Sequence, residues 1–265
     1  MDFSRSSAVI SGGAGGLGSA TSRRLAALGL GVVIFEPDGS RAQDLASEIG
    51  PHAVVIEGDQ CSDEDVRRAI KAAQNLGTLA VNVNAAGVSM HTPATATLDG
   101  VPHDMATFRA MMDVHLMGPF NMARLCAAAM AANTPDTDGQ RGVIVNTAST
   151  GAFDGQARQV AYAAGKAGIV GMSLAMARDL ADIGVRVNAI APGPMWTPRL
   201  AQAPQTVLDE LTRNVAFPKR FGQGDEYASL VEAILRTPFL NGQTIRLDGA
   251  MSTPLTQLSP PKRAE

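Results

Sequence analysis

Cysteine is nearly absent. Cys61 and Cys126 are the only two in 265 residues, too few and too far apart for a disulfide framework or a metal knuckle. Reduced thiols are therefore expected, and with them a cytoplasmic location. Basic runs are missing as well. The net charge is −3 and the pI is near 5.8, which argues against a nucleic-acid partner. No apolar segment approaches the roughly 20 residues that span a bilayer. The run Ala8-Val9-Ile10 comes too early in the chain to leave room for a signal peptide. A soluble protein with no membrane partner is expected. Aromatics make up 4% of the chain, with one Trp and two Tyr, so a tyrosine in a patterned position stands out.

Glycine is what the chain has in quantity. Twenty-seven glycines, with 45% apolar and 18% charged residues, suit an α/β fold with many tight strand-to-helix turns. One domain over 1–265 is expected. A short buried strand, Ser7–Ser11, runs into Gly12-Gly13-Ala14-Gly15-Gly16-Leu17-Gly18 and then a helical pattern with Thr21, Leu25 and Leu28. Strand, glycine turn and helix is the arrangement that holds a dinucleotide pyrophosphate. Glycine lets the backbone approach the phosphates, and the helix N-terminus supplies free N–H groups. Gly12, Gly16, Leu17 and Gly18 are the candidate positions, with Ser11 before them.

The next strand, 31–35, ends at Glu36, whose carboxylate can accept hydrogen bonds from a ribose. It would also repel the extra phosphate of NADP, and Asp38 adds to that, so NAD is the expected cofactor. Strand 53–57 ends at Gly58-Asp59-Gln60. Asp59 could meet the adenine amino group or merely start the turn before helix 63–76, which Ser62 and three acids cap. Strand 79–83 delivers Asn84-Ala85-Ala86-Gly87. A polar loop over 88–103 leads to a long helix from Asp104 to about Ala132. Strand 142–148 ends at Ser149, helix 158–182 follows, and strand 184–190 ends in Ala191-Pro192-Gly193. The alternation predicts a Rossmann-type, doubly wound parallel sheet.

After Gly193 the alternation stops. Residues 194–217 mix Met195, Trp196, Leu200 and Leu208 with polar residues and read either as a substrate lid or as a surface helix pair. Helix 225–236 and strand 243–247 follow, and 252–265 reads as a tail.

Tyr162 and Lys166 share a face of their helix at i and i+4. A phenol near pKa 10 holds its proton at neutral pH, and a nearby ammonium favours the phenolate. Ser149, at the sheet's carboxyl edge, could bond the same substrate oxygen that Tyr162 protonates or deprotonates.

Ser11-Gly12-x3-Gly16-x-Gly18, Asn84-Ala85-Ala86-Gly87, Ser149 with Tyr162 and Lys166, and Pro192-Gly193-x3-Thr197 together resemble the short-chain dehydrogenase/reductase family from end to end. The resemblance implies a catalytic Ser149, Tyr162 and Lys166, with Lys166 also holding the nicotinamide ribose. It places Thr197 on the nicotinamide carboxamide. It also implies a homotetramer built through helices 104–132 and 158–182.

Within the family the stretches 141–149, 168–180 and 238–250 are similar to type 2 3-hydroxyacyl-CoA dehydrogenases. That likeness implies an acyl-CoA thioester as substrate, with Phe153, Gln156 and Trp196 as pocket candidates. A 3-oxoacyl or hydroxysteroid reductase is the rival enzyme.

One position departs from the family. Its long helix usually carries an asparagine that positions a relay water, and here the context is Val114-His115-Leu116-Met117-Gly118. Histidine can hold a water and carry a proton near neutral pH. A turnover that depends on His115 ionisation is therefore expected. A chain disabled by the change, serving as an NAD-binding scaffold or sensor, is the rival from another class.

Overall fold

Short runs of β-branched residues become strands: β1 Ser6–Ser11, β2 Gly31–Glu36, β3 Ala53–Glu57, β4 Thr78–Asn84, β5 Gly142–Thr147, β6 Val185–Pro192 and β7 Thr244–Leu247. The computed structural model describes residues 1–88, 92–198 and 200–251. The expected tail at 252–265 lies outside them. The strands form one parallel sheet in the order β3-β2-β1-β4-β5-β6-β7. The chain switches direction between β1 and β4, which opens a crevice at the strands' carboxyl ends.

Helices cover both faces: α1 Gly16–Ala27, α2 Ser40–Ile49, α3 Asp63–Leu76, α4 Met105–Met112, α5 Gly118–Met130, α6 Val160–Asp179, α7 Gln205–Arg213 and α8 Gly224–Arg236. Alternation along the strands sorts the core in two. Ala8, Ile10, Val32 and Ile34 pack with Leu25, Leu45 and Val231 from α1, α2 and α8. Val9, Val33 and Phe35 pack with Val66, Met122 and Met176 from α3, α5 and α6. Arg186 of β6 is buried, with no carboxylate in ion-pair contact among the described residues. It donates to the carbonyls of Ile234 and Leu235 at 3.0 and 3.3 Å, a cation at the negative end of α8.

Three features depart from the sequence expectation. The helix α2 goes beyond it, with Ala42 and Leu45 as its only buried anchors. The helix α6 begins at Val160 rather than residue 158, because Arg158 adopts φ +63°, outside the right-handed helical region. It is also long and apolar enough to cross a membrane by length and composition, which corrects the expectation that no segment reaches that length. Its apolarity has a packing cause: α6 lies against β5, β6 and α4.

The third departure decides the site. The helix expected over 104–132 is interrupted by a π turn at Asp113–Met117. Pro119 has no N–H, so it cannot donate to the His115 carbonyl as helix continuity requires. The Gly118 N–H reaches back to the Asp113 carbonyl instead. That frees the Val114 carbonyl, which accepts from Gln60 Nε2 at 2.8 Å. The widened turn delivers His115 to the crevice.

Candidate active site

The glycine turn after β1 is closely packed. Gly12 has φ +67°, and a Cβ there would lie 2.5 Å from Ala86 Cα, so the turn and the start of the 85–87 segment fit only without a side chain. Gly15 caps α1 without a side-chain hydrogen bond, leaving the first helical N–H groups unpaired within the helix. Glu36 reaches this turn from β2. Its Oε1 accepts from the Ala14 N–H at 2.7 Å. Burial raises the Glu36 pKa, against the lowering influence of the Ala14 N–H.

At the carboxyl end of β5, Ser149 Oγ accepts from the Gly151 N–H at 3.1 Å. A Cβ at Gly151 would meet Tyr162 Cε1 at 3.3 Å and Ser149 Oγ at 3.5 Å, so both hydroxyl-bearing residues converge on this bare backbone position. Burial raises the Tyr162 pKa, and the Ser149 hydroxyl pulls it back in part. Lys166 Nζ donates to the Thr147 carbonyl at 2.7 Å and stands 5.9 Å from the Tyr162 ring centroid. Burial pushes the Lys166 pKa down to about 8. The expectation that Lys166 lowers the tyrosine pKa is thus corrected for this state: the carbonyl engages the ammonium, burial dominates the phenol, and Tyr162 holds its proton.

His115 is 1% exposed, with its ring edge-on to Tyr162 at 5.0 Å between centroids. Neither ring nitrogen has a hydrogen-bond partner among the described residues. Burial, and secondarily the charge of Lys166, push its pKa down to about 3. The imidazole is neutral in this pocket, which corrects the expectation that its ionisation governs turnover near neutral pH.

The other expected residues divide. Thr197 lies over the glycine turn, where a Cβ on Gly16 would come within 2.6 Å of its methyl. Pro192 ends β6, and the Gly193 N–H donates to the Leu247 carbonyl at 2.9 Å. Asn84 turns its amide inward to Asn146 Oδ1 at 2.8 Å, a buried tie between β4 and β5. Asp59 starts the turn before α3, accepting from the Cys61 N–H at 2.8 Å. Gln60 points its side chain at the π turn. Phe153 lies under the Arg246 guanidinium at 5.5 Å. Gln156 accepts from Gln159 at 3.2 Å. Trp196 packs on Phe221 at 5.6 Å.

Two residues of the site were missed. Thr147 links the centre to α8: its hydroxyl donates to the Asn84 carbonyl at 2.6 Å and meets the Tyr227 hydroxyl at 2.7 Å. Tyr227 is the second of only two tyrosines, and its scarcity was the signal available.

The model for short chain dehydrogenase matches residues 6–207. Human 3-hydroxyacyl-CoA dehydrogenase type-2 is 47% identical over 245 residues, 92% of this chain and 94% of that protein. The protein of that name from Drosophila melanogaster is 44% identical, covering 92% and 96%. The crystal structure of 3-hydroxyacyl-CoA dehydrogenase type-2 from Mycobacterium avium superposes with a TM-score of 0.93 at 44% identity, covering 95% of this chain and 97% of that one. The chain belongs to the short-chain dehydrogenase family. As a short-chain dehydrogenase it is an oxidoreductase of secondary alcohols and ketones that uses a nicotinamide cofactor. Its own residues fit that group: uncapped amides at the start of α1 suit a pyrophosphate, and Glu36 stands beside them at the end of β2.

Proposed function

We propose that this protein is an NAD-dependent dehydrogenase interconverting 3-hydroxyacyl-CoA and 3-oxoacyl-CoA thioesters. The convergence of Ser149 and Tyr162 on Gly151 carries the reading, in a chain 47% identical to a protein named for that activity. Bound in the crevice, NAD would accept or return the hydride at the substrate carbon. Gly12, Gly16, Leu17 and Gly18 would hold its pyrophosphate, Glu36 its adenosine ribose, and Thr197 and Lys166 its nicotinamide end. Tyr162 takes the alcohol proton in oxidation and gives it to the ketone oxygen in reduction. Ser149 steadies that oxygen with its hydroxyl.

The preference for NAD rests on charge. Glu36 and Asp38 repel a second phosphate on the ribose, and Arg41 offsets part of that repulsion by acting on Glu36. NADPH is expected to serve poorly. His115 acts as a neutral wall that fixes the Tyr162 ring, with its two free nitrogens available to an internal water.

Residues 194–217 serve as the substrate lid. Only Leu208 of α7 is buried while Val207 is exposed, leaving an apolar side chain free to cover an acyl chain. Phe153 and Trp196 supply further apolar wall. A homotetramer is supported by exposed Met105, Met117 and Phe120 along α4 to α5 and by Leu174 on α6. Rates with NADH and NADPH on acetoacetyl-CoA and a ketosteroid test the assignment. Faster turnover of the steroid would move it to the hydroxysteroid class.

A further inference from the structure

Arg158 is one of two residues other than glycine with positive φ among the described residues, at +63°. Glycine adopts that conformation freely, and a branched-off side chain is strained there. The chain enforces the strain. Both the N–H and the hydroxyl of Thr92 donate to the Arg158 carbonyl, at 2.8 and 3.2 Å, and Thr92 itself is buried. An arginine has therefore been placed where the backbone favours glycine, and strained positions of this kind gather at ligand sites.

Its surroundings say which ligand. Arg158 is exposed, while its neighbour Gln159 is buried against Gly151, the position where Ser149 and Tyr162 converge. Arg158 also precedes Tyr162 by four residues. It therefore sits on the rim of the site, between the Thr92 loop and the turn carrying Phe153 and Gln156. No carboxylate pairs with it among the described residues, whereas Arg246, over the Phe153 ring, is neutralised by Asp248 and Asp154. The chain as a whole carries −3, so a polyanionic substrate gains no general attraction and needs a local cation. A guanidinium is suited to phosphate oxygens.

We propose that Arg158 binds the phosphate groups of the nucleotide end of a coenzyme A thioester, holding the acyl end at Tyr162. This rests on the acyl-CoA reading above and adds the residue that recognises the carrier. Alcohols and ketones without a nucleotide would pass Arg158 untouched.

The test uses Arg158→Gly, which keeps the backbone conformation, and Arg158→Lys, which keeps the charge. KM and kcat are measured on acetoacetyl-CoA and on the acetoacetyl thioester of N-acetylcysteamine, which lacks the phosphates. Free coenzyme A is titrated by calorimetry into the full-length protein with NADH present. Arg158→Gly should raise KM for the CoA thioester and Kd for coenzyme A about tenfold. Its kcat and its KM for the short thioester should be unchanged, and Arg158→Lys should recover most of the loss. Equal changes on both thioesters, or no change on either, would overturn the proposal. If the wild type reduces neither thioester, the acyl-CoA reading fails on its own, and the titration still decides. Loss of coenzyme A binding in Arg158→Gly would uphold the phosphate site, while coenzyme A that does not bind the wild type, or binds both proteins equally, would end it.

Discussion

The imidazole of His115 meets the ring of Tyr162 edge-on at 82°, with 5.0 Å between centroids. A neutral histidine at pKa about 3 forms that contact, and the unfolded chain returns it to its ordinary value near 6.5. The unfolded state thus binds the extra proton between those values. Stability is complete above pH 6.5 and is lost as pH falls toward 3. At about pH 5 the loss from this one group is of order 2 kcal/mol. Denaturant melts of wild type and His115→Asn at neutral pH and near pH 5 should show the variant losing less on acidification. Equal losses would place the imidazole elsewhere. The shape of the pH–rate profile above pH 5 should be the same for both proteins.

Pro119 creates the turn that brings His115 there. Pro119→Ala restores an N–H able to donate to the His115 carbonyl, and the turn can contract to a regular helix. Turnover should fall by about an order of magnitude, the range of a misplaced catalytic group, with little change in melting temperature. Full activity in this variant would separate the π turn from catalysis.

Gln60 fills the carbonyl that the same turn exposes. Gln60→Leu would leave the buried Val114 carbonyl unpaired, a cost of about 1–3 kcal/mol. Cofactor affinity should change little, because the side chain faces the helix and not the crevice. A large rise in the NADH Kd with stability unchanged would give Gln60 a cofactor role instead.

Tyr162 keeps its proton because burial raises its pKa. Reduction needs the protonated phenol and oxidation the phenolate. The oxidation rate should therefore climb as pH rises into the alkaline range, while reduction stays level and then falls. Initial rates in both directions across that range test this, and an oxidation rate that peaks below neutrality would contradict it.

Much of this was legible in the sequence, for physical reasons that can be named. The strands are runs such as Gly31-Val32-Val33-Ile34-Phe35, buried on both faces, so composition alone marks them. Ser149, Tyr162 and Lys166 lie on neighbouring elements at fixed spacing, which local geometry converts into proximity. The pKa directions were not legible, since they depend on burial by distant segments. Lys166 was expected to act on Tyr162, yet its nearest acceptor is the Thr147 carbonyl, 19 positions away. The tie from Gln60 to Val114 spans 54 positions and exists only once the turn has opened. Pro119 was visible throughout: a proline within a helical pattern, whose missing N–H is a local fact with a consequence four residues back.

In the proposed reaction Tyr162 does the acid–base chemistry on a CoA thioester with NAD. The most direct measurement is the loss of NADH absorbance on adding acetoacetyl-CoA, for wild type and Tyr162→Phe, with NADH binding followed by fluorescence. Turnover is expected in the wild type, with a fall of about 10³-fold or more in the variant and the same NADH affinity in both. Turnover retained by Tyr162→Phe would take the acid–base role away from this residue.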